Sequence, residues 1–259
     1  MLPAMERLGH DVMALPTVIL SSHAAFPHVA GTPVSIDVLE AMAGALEANG
    51  WLSGVQFVVT GYLPTPAHVT FAAALVDRVR QRAPGVQFVC DPVLGDEPKG
   101  IYVSEETAAA IRRELIPRAS LATPNRFELG WLTGQSVTCV VSAVAAARAL
   151  GCDAVLATSI PHTEDRLATV LVDGSAAIFT SVDVRASVPS GTGDYLTGLF
   201  VAESAAGRSG TEALAIAGAF LEAALTASGQ RDDLCLTEVY GARPAPLPVH
   251  HLPANPCEP

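Results

Sequence analysis

The chain has 259 residues, 50% of them apolar, and a mean hydropathy of +0.37, so it can bury the core of one large α/β domain or of two small ones. Its 15 basic and 26 acidic residues give a net charge of −11 without a cluster of lysine or arginine, which argues against nucleic-acid and membrane-surface partners. Five cysteines without C-x-x-C spacing argue against a disulfide framework or a zinc site. Together with the lack of a secretory leader and of an apolar run of about 18 residues, they predict a cytoplasmic protein.

Short β-branched runs alternate with longer helical patterns along the first part of the chain. The segments 55–60 and 86–90 are typical of buried strands, and the apolar periodicity between them predicts a helix over 66–82. The alternation continues with a helix over 104–115, a strand over 119–123, helices over 125–133 and 140–150, and a strand over 154–157. A mostly parallel sheet with helices on both faces would bury these elements.

The segment 167–188 departs from this alternation. Two strand-like runs flank the turn Asp173-Gly174 and predict a β-hairpin. Apolar periodicity then predicts helices over 191–206 and 211–228.

The last part of the chain, 242–259, is rich in proline and is expected to be extended or disordered. No internal repeat and no linker divides the rest of the sequence. The sequence therefore predicts a single domain over 1–241 followed by a tail.

A glycine-rich segment, Gly191-Thr192-Gly193-Asp194, opens the predicted helix over 191–206. Glycines let a ligand approach the backbone closely, and the first N–H groups of a helix lack intrahelical partners and attract an anion. A carboxylate beside a bound phosphate would repel it, so we expect Asp194 to act as a general base that accepts a proton from an attacking hydroxyl. The alternative is a turn and a helix cap with an acidic first turn.

Polar residues also follow three of the predicted strands, which is where ligands bind in parallel sheets. Tyr62 follows the first of them, Asp91 and Asp96 follow the second, and the segment Thr123 to Glu128 follows the third. Asp91 and Asp96 suit Mg²⁺, which prefers one or two carboxylates together with water and substrate phosphates. Ordinary turn chemistry explains the same two residues equally well.

Three further residues have both a functional and a structural interpretation. Asn125 followed three residues later by Glu128 matches a helix capping box, and the same pair could bind a ligand. His23 could face a ligand or lie at the surface. Spacing alone leaves these alternatives open.

The order of these motifs resembles the ribokinase superfamily of small-molecule kinases, and within it the pyridoxal kinases. The related hydroxymethylpyrimidine kinases usually carry cysteine where this chain has Asp194. The resemblance covers residue 5 to roughly residue 230 and rests on TVILSSH at 17–23, GYL at 61–63, DPVLGD at 91–96 with GIYV at 100–103, TPNxxE at 123–128 and GTGD at 191–194.

This resemblance implies a ribokinase-like three-layer α/β/α sandwich with a mostly parallel central sheet. It also implies transfer of the γ-phosphoryl group of ATP to the 5′-hydroxyl of pyridoxal, pyridoxine or pyridoxamine. Asp194 would be the base, and the amides of Gly191, Thr192 and Gly193 would stabilise the transferring phosphoryl group.

The resemblance further assigns residues around the metal ion, the nucleotide and the substrate. Asp96 and Glu128, with Asp91, would position Mg²⁺ near the β- and γ-phosphates. The hairpin over 167–188 would lead into the adenine pocket. The resemblance also implies a monovalent cation such as K⁺ as a cofactor, and a homodimeric assembly. The resemblance also places Thr123 and Asn125 in the shell around the phosphates and the metal ion, Thr158 beside the nucleotide and Tyr102 beside the phosphates. It places His23 and Tyr62 beside pyridoxal.

Two features depart from the family pattern. The family begins with a strand and a glycine-rich turn before its first helix, whereas Met1 to Gly9 already matches that helix, so a strand and turn are expected upstream of Met1. Ala24 follows His23 where many relatives carry threonine, which would remove one contact and alter substrate preference.

Two alternative functions remain. The first is a kinase of the same fold that acts on hydroxymethylpyrimidine or another small alcohol. The second is a truncated, non-catalytic paralogue that binds B6 vitamers without turnover. ADP release measured across a substrate panel would separate them.

Overall fold

The structure is a computed structural model that describes residues 1–24 and 26–252. The predicted helices lie close to their predicted positions, and α2 was not predicted. The predicted helix over 104–115 is α4 continued by a π-helical turn, Ile111–Leu115. The α-helices of the described part are α1 (Leu2–Arg7), α2 (Ile36–Ala48), α3 (Pro66–Arg82), α4 (Glu105–Ala110), α5 (Arg126–Thr133), α6 (Val140–Ala149), α7 (Thr192–Ala205) and α8 (Gly210–Ser228).

The strands include two pairs that the sequence analysis did not predict, β1 with β2 and β5 with β6. Short 3₁₀ helices at Trp51–Gly54, Ile116–Arg118 and Thr237–Val239 complete the regular structure of the described residues. The strands are β1 (Val18–Leu20), β2 (Gly31–Pro33), β3 (Phe57–Thr60), β4 (Gln87–Cys90), β5 (Gly95–Asp96), β6 (Gly100–Ile101), β7 (Leu121–Ala122), β8 (Val155–Thr163), β9 (Arg166–Val172), β10 (Ala177–Asp183) and β11 (His250–His251).

The chain divides into two compact units. The smaller unit is Met13–Ala122, and the larger unit consists of Met1–Val12 and Thr123–Pro259. Helices and strands alternate in both, so the predicted α/β class is confirmed. Strand pairing is mixed, because β3, β4 and β7 pair in parallel while β8 to β11 pair antiparallel.

The smaller unit contains the predicted β-α-β arrangement. α3 connects β3 to β4, as a crossover must when neighbouring strands are parallel. The register places Thr60, Cys90 and Ala122 side by side at the carboxyl ends of β3, β4 and β7. Residues that follow β3 and β4 therefore leave the same edge of the sheet.

The larger unit has helices on both faces of its antiparallel strands. Val170 and Phe179 pack in one core cluster with α6, whereas Leu171 approaches Gly210 at the start of α8. Because neighbouring side chains of a strand point to opposite faces, α6 and α8 lie on opposite sides of the strands. This unit is therefore a helix, sheet and helix in three layers.

The predicted hairpin is confirmed, and its turn has a clear local cause. β9 and β10 pair in register from Ala177 with Val172 to Asp183 with Arg166. In the turn, Asp173 Oδ1 accepts hydrogen bonds from the backbone N–H groups of Ser175 and Ala176, both at 2.8 Å. The side chain thereby satisfies donors that the ladder leaves unpaired.

Helix α8 is, within the described part of the chain, the one helix long and apolar enough to cross a membrane by length and composition. The sequence analysis looked for an uninterrupted apolar run of about 18 residues and did not identify this helix. Its residues Ala213, Leu214 and Ala217 are buried, and it packs against α7 and β10. It is therefore a core helix of the larger unit.

The proline-rich tail is only partly described. His250 and His251 form β11, which pairs antiparallel with Ile178 and Phe179 of β10. Residues 253–259 lie outside the described residues, so the expectation for them stays a prediction.

Candidate active site

The glycine-rich segment forms the start of α7, as predicted. Gly191 is the N-cap residue with φ +88°, a left-handed conformation that disfavours any residue with a Cβ. Among the described residues no side chain caps the start of this helix, whereas Ser or Asn side chains cap α2, α4, α5 and α8. Outside its chain neighbours and its own helix backbone, a Cβ at Gly193 would meet no atom of the described residues within 4 Å. The backbone at this helix start is thus open to a ligand.

Hydrogen bonds on either side hold this turn in place. The N–H of Ser190 donates to the carbonyl oxygen of Asp232 at 3.1 Å, and the N–H of Tyr195 donates to that of Gly191 at 3.0 Å. The Asp194 side chain is exposed and Tyr195 is buried. Burial raises the pKa of Tyr195, and the neighbouring charge of Arg7 acts in the opposite direction.

Asn125 and Glu128 form the predicted capping box at the start of α5. Asn125 Oδ1 accepts from the N–H of Glu128 at 2.9 Å, and Glu128 Oε2 accepts from the N–H of Asn125 at 2.8 Å. The structural interpretation of this pair is therefore confirmed. It does not exclude a metal role, because a carboxylate has about four lone-pair sites for hydrogen bonds or ligands.

A buried hydrogen bond joins α7 to the segment before α5. The Thr197 hydroxyl donates to the Thr123 hydroxyl at 3.1 Å, and both residues are buried. The sequence analysis missed Thr197. A signal was present, since Thr197 lies one helical turn after Asp194 in an otherwise apolar run.

The structure corrects the position of Thr158. It lies inside β8 and not after a strand ending at 157, because the ladder with β9 shifts register between Ala157 and Ile160. At this irregularity the N–H of Thr158 donates to the carbonyl oxygen of Pro124 at 3.0 Å, and Thr158 bridges Asn125. Thr158, predicted on the nucleotide side, therefore lies beside the segment Thr123 to Asn125, predicted for the phosphate and metal shell.

In the smaller unit, Tyr62 and Asp91 follow adjacent parallel strands. The N–H of buried Asp91 donates to the carbonyl oxygen of Thr60 at 3.1 Å. The Thr17 hydroxyl donates to the carbonyl oxygen of Tyr62 at 2.7 Å, which holds the base of the β1–β2 hairpin beside Tyr62. His23 lies exposed in the loop of that hairpin.

Asp96 and Tyr102 belong to the β5–β6 hairpin of the smaller unit. The N–H of Tyr102 donates to the carbonyl oxygen of Leu94 at 2.6 Å. Asp96 Oδ1 is buried and has no hydrogen-bond partner among the described residues, and the same is true of Thr60 Oγ1. An unpartnered buried carboxylate oxygen is costly, and a bound cation would compensate for it.

The predicted metal ligands are divided between the two units. Asp91 and Asp96 lie in the smaller unit and Glu128 lies in the larger one. Across residues 1–24 and 26–252, no group of three or more His, Cys, Asp or Glu side chains is arranged to hold a metal ion by protein ligands alone.

Comparison with known proteins gives the family. A family model described as phosphomethylpyrimidine kinase matches residues 32–236. The chain is 32% identical to a pyridoxal kinase of Deinococcus radiodurans over 85% of this chain and 78% of the relative. It is 35% identical to a pyridoxine/pyridoxal/pyridoxamine kinase of Bordetella avium over 88% of this chain and 75% of the relative.

A solved structure agrees with these relatives. The pyridoxal kinase of Leishmania donovani in complex with ADP and pyridoxamine matches with a TM-score of 0.89 and 28% identity, covering 96% of this chain and 92% of that one. The predicted ribokinase-like fold is confirmed. By sequence and by fold, this chain belongs to the pyridoxal kinase family of ribokinase-like proteins.

Proposed function

We propose that this protein transfers the γ-phosphoryl group of ATP to the 5′-hydroxyl of pyridoxal, pyridoxine or pyridoxamine. The observation that carries the proposal is the start of α7. There, an exposed Asp194 lies in the first turn of a helix whose N–H groups have no side-chain cap, in a chain of the pyridoxal kinase family.

Asp194 is the base in this proposal. A substrate hydroxyl that attacks a phosphorus atom must lose its proton, and a carboxylate within hydrogen-bond reach can accept it. A permanent role as a phosphate ligand is excluded on charge, because the carboxylate and the phosphate repel each other at short distance.

The backbone at 191–193 stabilises the transferring group. Its N–H groups point out of the helix start, and the helix dipole favours negative charge there. Thr123, Asn125 and Thr158 lie together in the same unit, and the Thr197–Thr123 hydrogen bond connects them to α7. We assign them to the phosphates of the nucleotide.

Asp96, Asp91 and Glu128 are the residues that would hold Mg²⁺. The buried, unpartnered Asp96 Oδ1 fits a cation, and carboxylate oxygens are the ligands that Mg²⁺ prefers. When bound, Mg²⁺ neutralises charge that develops on the phosphate oxygens. The substrate ring is assigned to His23 and Tyr62, and Tyr102 to the phosphates.

The substrate assignment follows the relatives. The Leishmania donovani enzyme was solved with ADP together with pyridoxamine and, separately, with pyridoxine. One observation favours a second candidate, phosphorylation of a hydroxymethylpyrimidine, since the matching family model is described as phosphomethylpyrimidine kinase. Asp194, where kinases of that second kind usually carry cysteine, favours the B6 vitamers.

The test is ADP formation by the purified chain with ATP, Mg²⁺ and each of pyridoxal, pyridoxine, pyridoxamine and hydroxymethylpyrimidine. We expect the highest kcat/KM with a B6 vitamer. A higher kcat/KM with the pyrimidine would replace the proposal by the second candidate. Tight binding of pyridoxal without ADP formation would support a non-catalytic binding protein instead.

A substitution at Glu128 separates its proposed metal role from its role in the capping box. Glutamine can still accept from the N–H of Asn125, so Glu128→Gln should keep the cap and the thermal stability. Loss of the carboxylate charge should raise the Mg²⁺ concentration for half-maximal rate by about 10-fold or more.

The matched control for Glu128→Gln is Glu212→Gln. Glu212 forms the same kind of capping box with Ser209 at the start of α8. Steady-state rates measured across a Mg²⁺ titration, with melting temperatures for both variants, provide the comparison. An unchanged Mg²⁺ dependence for Glu128→Gln would leave Glu128 with the capping role alone.

Three further assignments complete the proposal. They are a single kinase domain over 1–241, a homodimeric assembly and a cytoplasmic location. The family resemblance supports the first two, and the five cysteines without disulfide spacing support the third.

A further inference from the structure

Arg7, in the last turn of α1, is hydrogen-bonded to three residues in two distant parts of the larger unit. Its Nη1 donates to the Tyr195 hydroxyl at 3.1 Å. Its Nε donates to the carbonyl oxygen of Tyr240 at 3.1 Å, and its Nη2 donates to that of Ala242 at 3.2 Å. One guanidinium group therefore connects α1, α7 and the segment after α8.

Aromatic rings fix the same guanidinium group. It lies 4.5 Å from the ring centre of Phe220 in α8 and 5.9 Å from that of Tyr240. Only arginine can donate in three directions from a planar group while stacking on rings. A lysine at this position would keep the positive charge but lose the planar group that donates in three directions.

Tyr195 makes this network relevant to the helix start. It directly follows Asp194, and its N–H closes the first hydrogen bond of α7, to Gly191. One turn later, a Cβ at Gly198 would lie 2.7 Å from the carbonyl oxygen of Met1, so α1 packs directly on the α7 backbone there. Tyr195 and Gly198 lie on one face of α7, and α1 contacts that face at both.

We propose that Arg7 is a positioning residue for phosphoryl transfer, which acts through Tyr195 to hold the first turn of α7, and with it Gly193 and Asp194, in place. The proposal rests on the proposed function. Arg7 does not touch the reacting atoms in this scheme. Its effect is on the placement of the base and of the backbone amides, and a displacement of about 1 Å at a reacting centre is enough to lower a rate.

The kinetic test uses Arg7→Met, Tyr195→Phe and the double variant. Methionine keeps an apolar stem, and phenylalanine removes only the hydroxyl. We expect kcat to fall about 3- to 30-fold in Arg7→Met and less in Tyr195→Phe, with KM for ATP and pyridoxal within about twofold of wild type. The double variant should match Arg7→Met, because both changes interrupt one connection.

The control is Arg208→Met, at the opposite end of α7. Arg208 pairs with the buried Glu203, so its loss also destabilises the larger unit. We expect Arg208→Met to lower the melting temperature and to leave kcat unchanged. A kcat within about twofold of wild type in folded Arg7→Met, or an equal fall in Arg208→Met, would overturn the positioning role.

A second measurement separates this inference from the proposed function. Hydrogen exchange at the Tyr195 amide reports opening of the first turn of α7 whether or not the chain is a kinase. We expect exchange about 3- to 30-fold faster in Arg7→Met than in wild type and unchanged in Arg208→Met. An inactive wild-type protein would refute the proposed function alone, whereas an unchanged Tyr195 exchange rate in Arg7→Met would refute the positioning role alone.

Discussion

Replacing Asp194 with asparagine is expected to lower kcat by about 10²- to 10⁴-fold, the range for loss of a general base. Asparagine has nearly the same shape but cannot accept the proton of the attacking hydroxyl. Asp194 is exposed in the first turn of α7, so the substitution should leave the fold intact. Affinity for ATP and pyridoxal should change little, because the carboxylate accepts the proton only during the transfer step.

The measurement combines steady-state kinetics with isothermal titration of both ligands. Asp37→Asn is the matched control, because Asp37 is also exposed in the first turn of a helix, α2, whose start is capped by Ser35. We expect wild-type kcat from Asp37→Asn. If Asp194→Asn keeps activity within a fewfold of wild type, another group must be the base.

Replacing Gly193 with alanine is expected to lower kcat/KM by about 10- to 100-fold and to leave the protein at least as stable as wild type. Apart from its chain neighbours and the backbone of its own helix, no described atom lies within 4 Å of a Cβ at this position, so the fold has room for a methyl group. Alanine in a helix is favoured over glycine by up to about 1 kcal/mol. A phosphoryl group held against the 191–193 backbone would be displaced by that methyl, and small displacements are costly at a reacting centre.

Gly44→Ala provides the comparison for Gly193→Ala. Gly44 lies within α2, and a Cβ there likewise meets no described atom within 4 Å outside its chain neighbours and its own helix backbone. Both variants should match or exceed the wild-type melting temperature, and only Gly193→Ala should lose activity. Equal activity in the two variants would show that no ligand approaches the backbone at Gly193.

The opposite signs expected for stability and activity distinguish a ligand site from a structural turn. Gly191 does not offer that distinction. Its φ of +88° strains any residue with a Cβ, so a substitution there would lower stability and activity together.

Much of the fold and of the site was predictable from local sequence. The capping box at Asn125 and Glu128, the turn at Asp173 and the helix start at Gly191 each depend on residues within a few positions of one another. Such interactions form wherever the local sequence allows, so pattern and spacing identify them. The order of the motifs along the chain was enough to indicate the family, which the comparisons confirm.

The sequence analysis missed one helix whose signal was present and four strands whose signal was absent. α2 begins after Ser35, whose side chain accepts from the N–H of Val38, and its residues Leu39 and Ala43 are buried one turn apart. The hairpin strands β1, β2, β5 and β6 are two or three residues long, which is too short for a periodic pattern to develop.

Only the tertiary structure decided which distant residues meet. The hydrogen bond from Thr197 to Thr123 joins residues 74 positions apart, and that from Arg7 to Tyr195 joins residues 188 positions apart. The irregularity that brings Thr158 beside Pro124 depends on the pairing of β8 with β9. The sequence by itself determined the helices, the turns and the chemical groups of the site, because these depend on neighbouring residues. The long-range contacts that join these elements within the larger unit depend on packing between segments far apart in the chain, for which no local pattern exists.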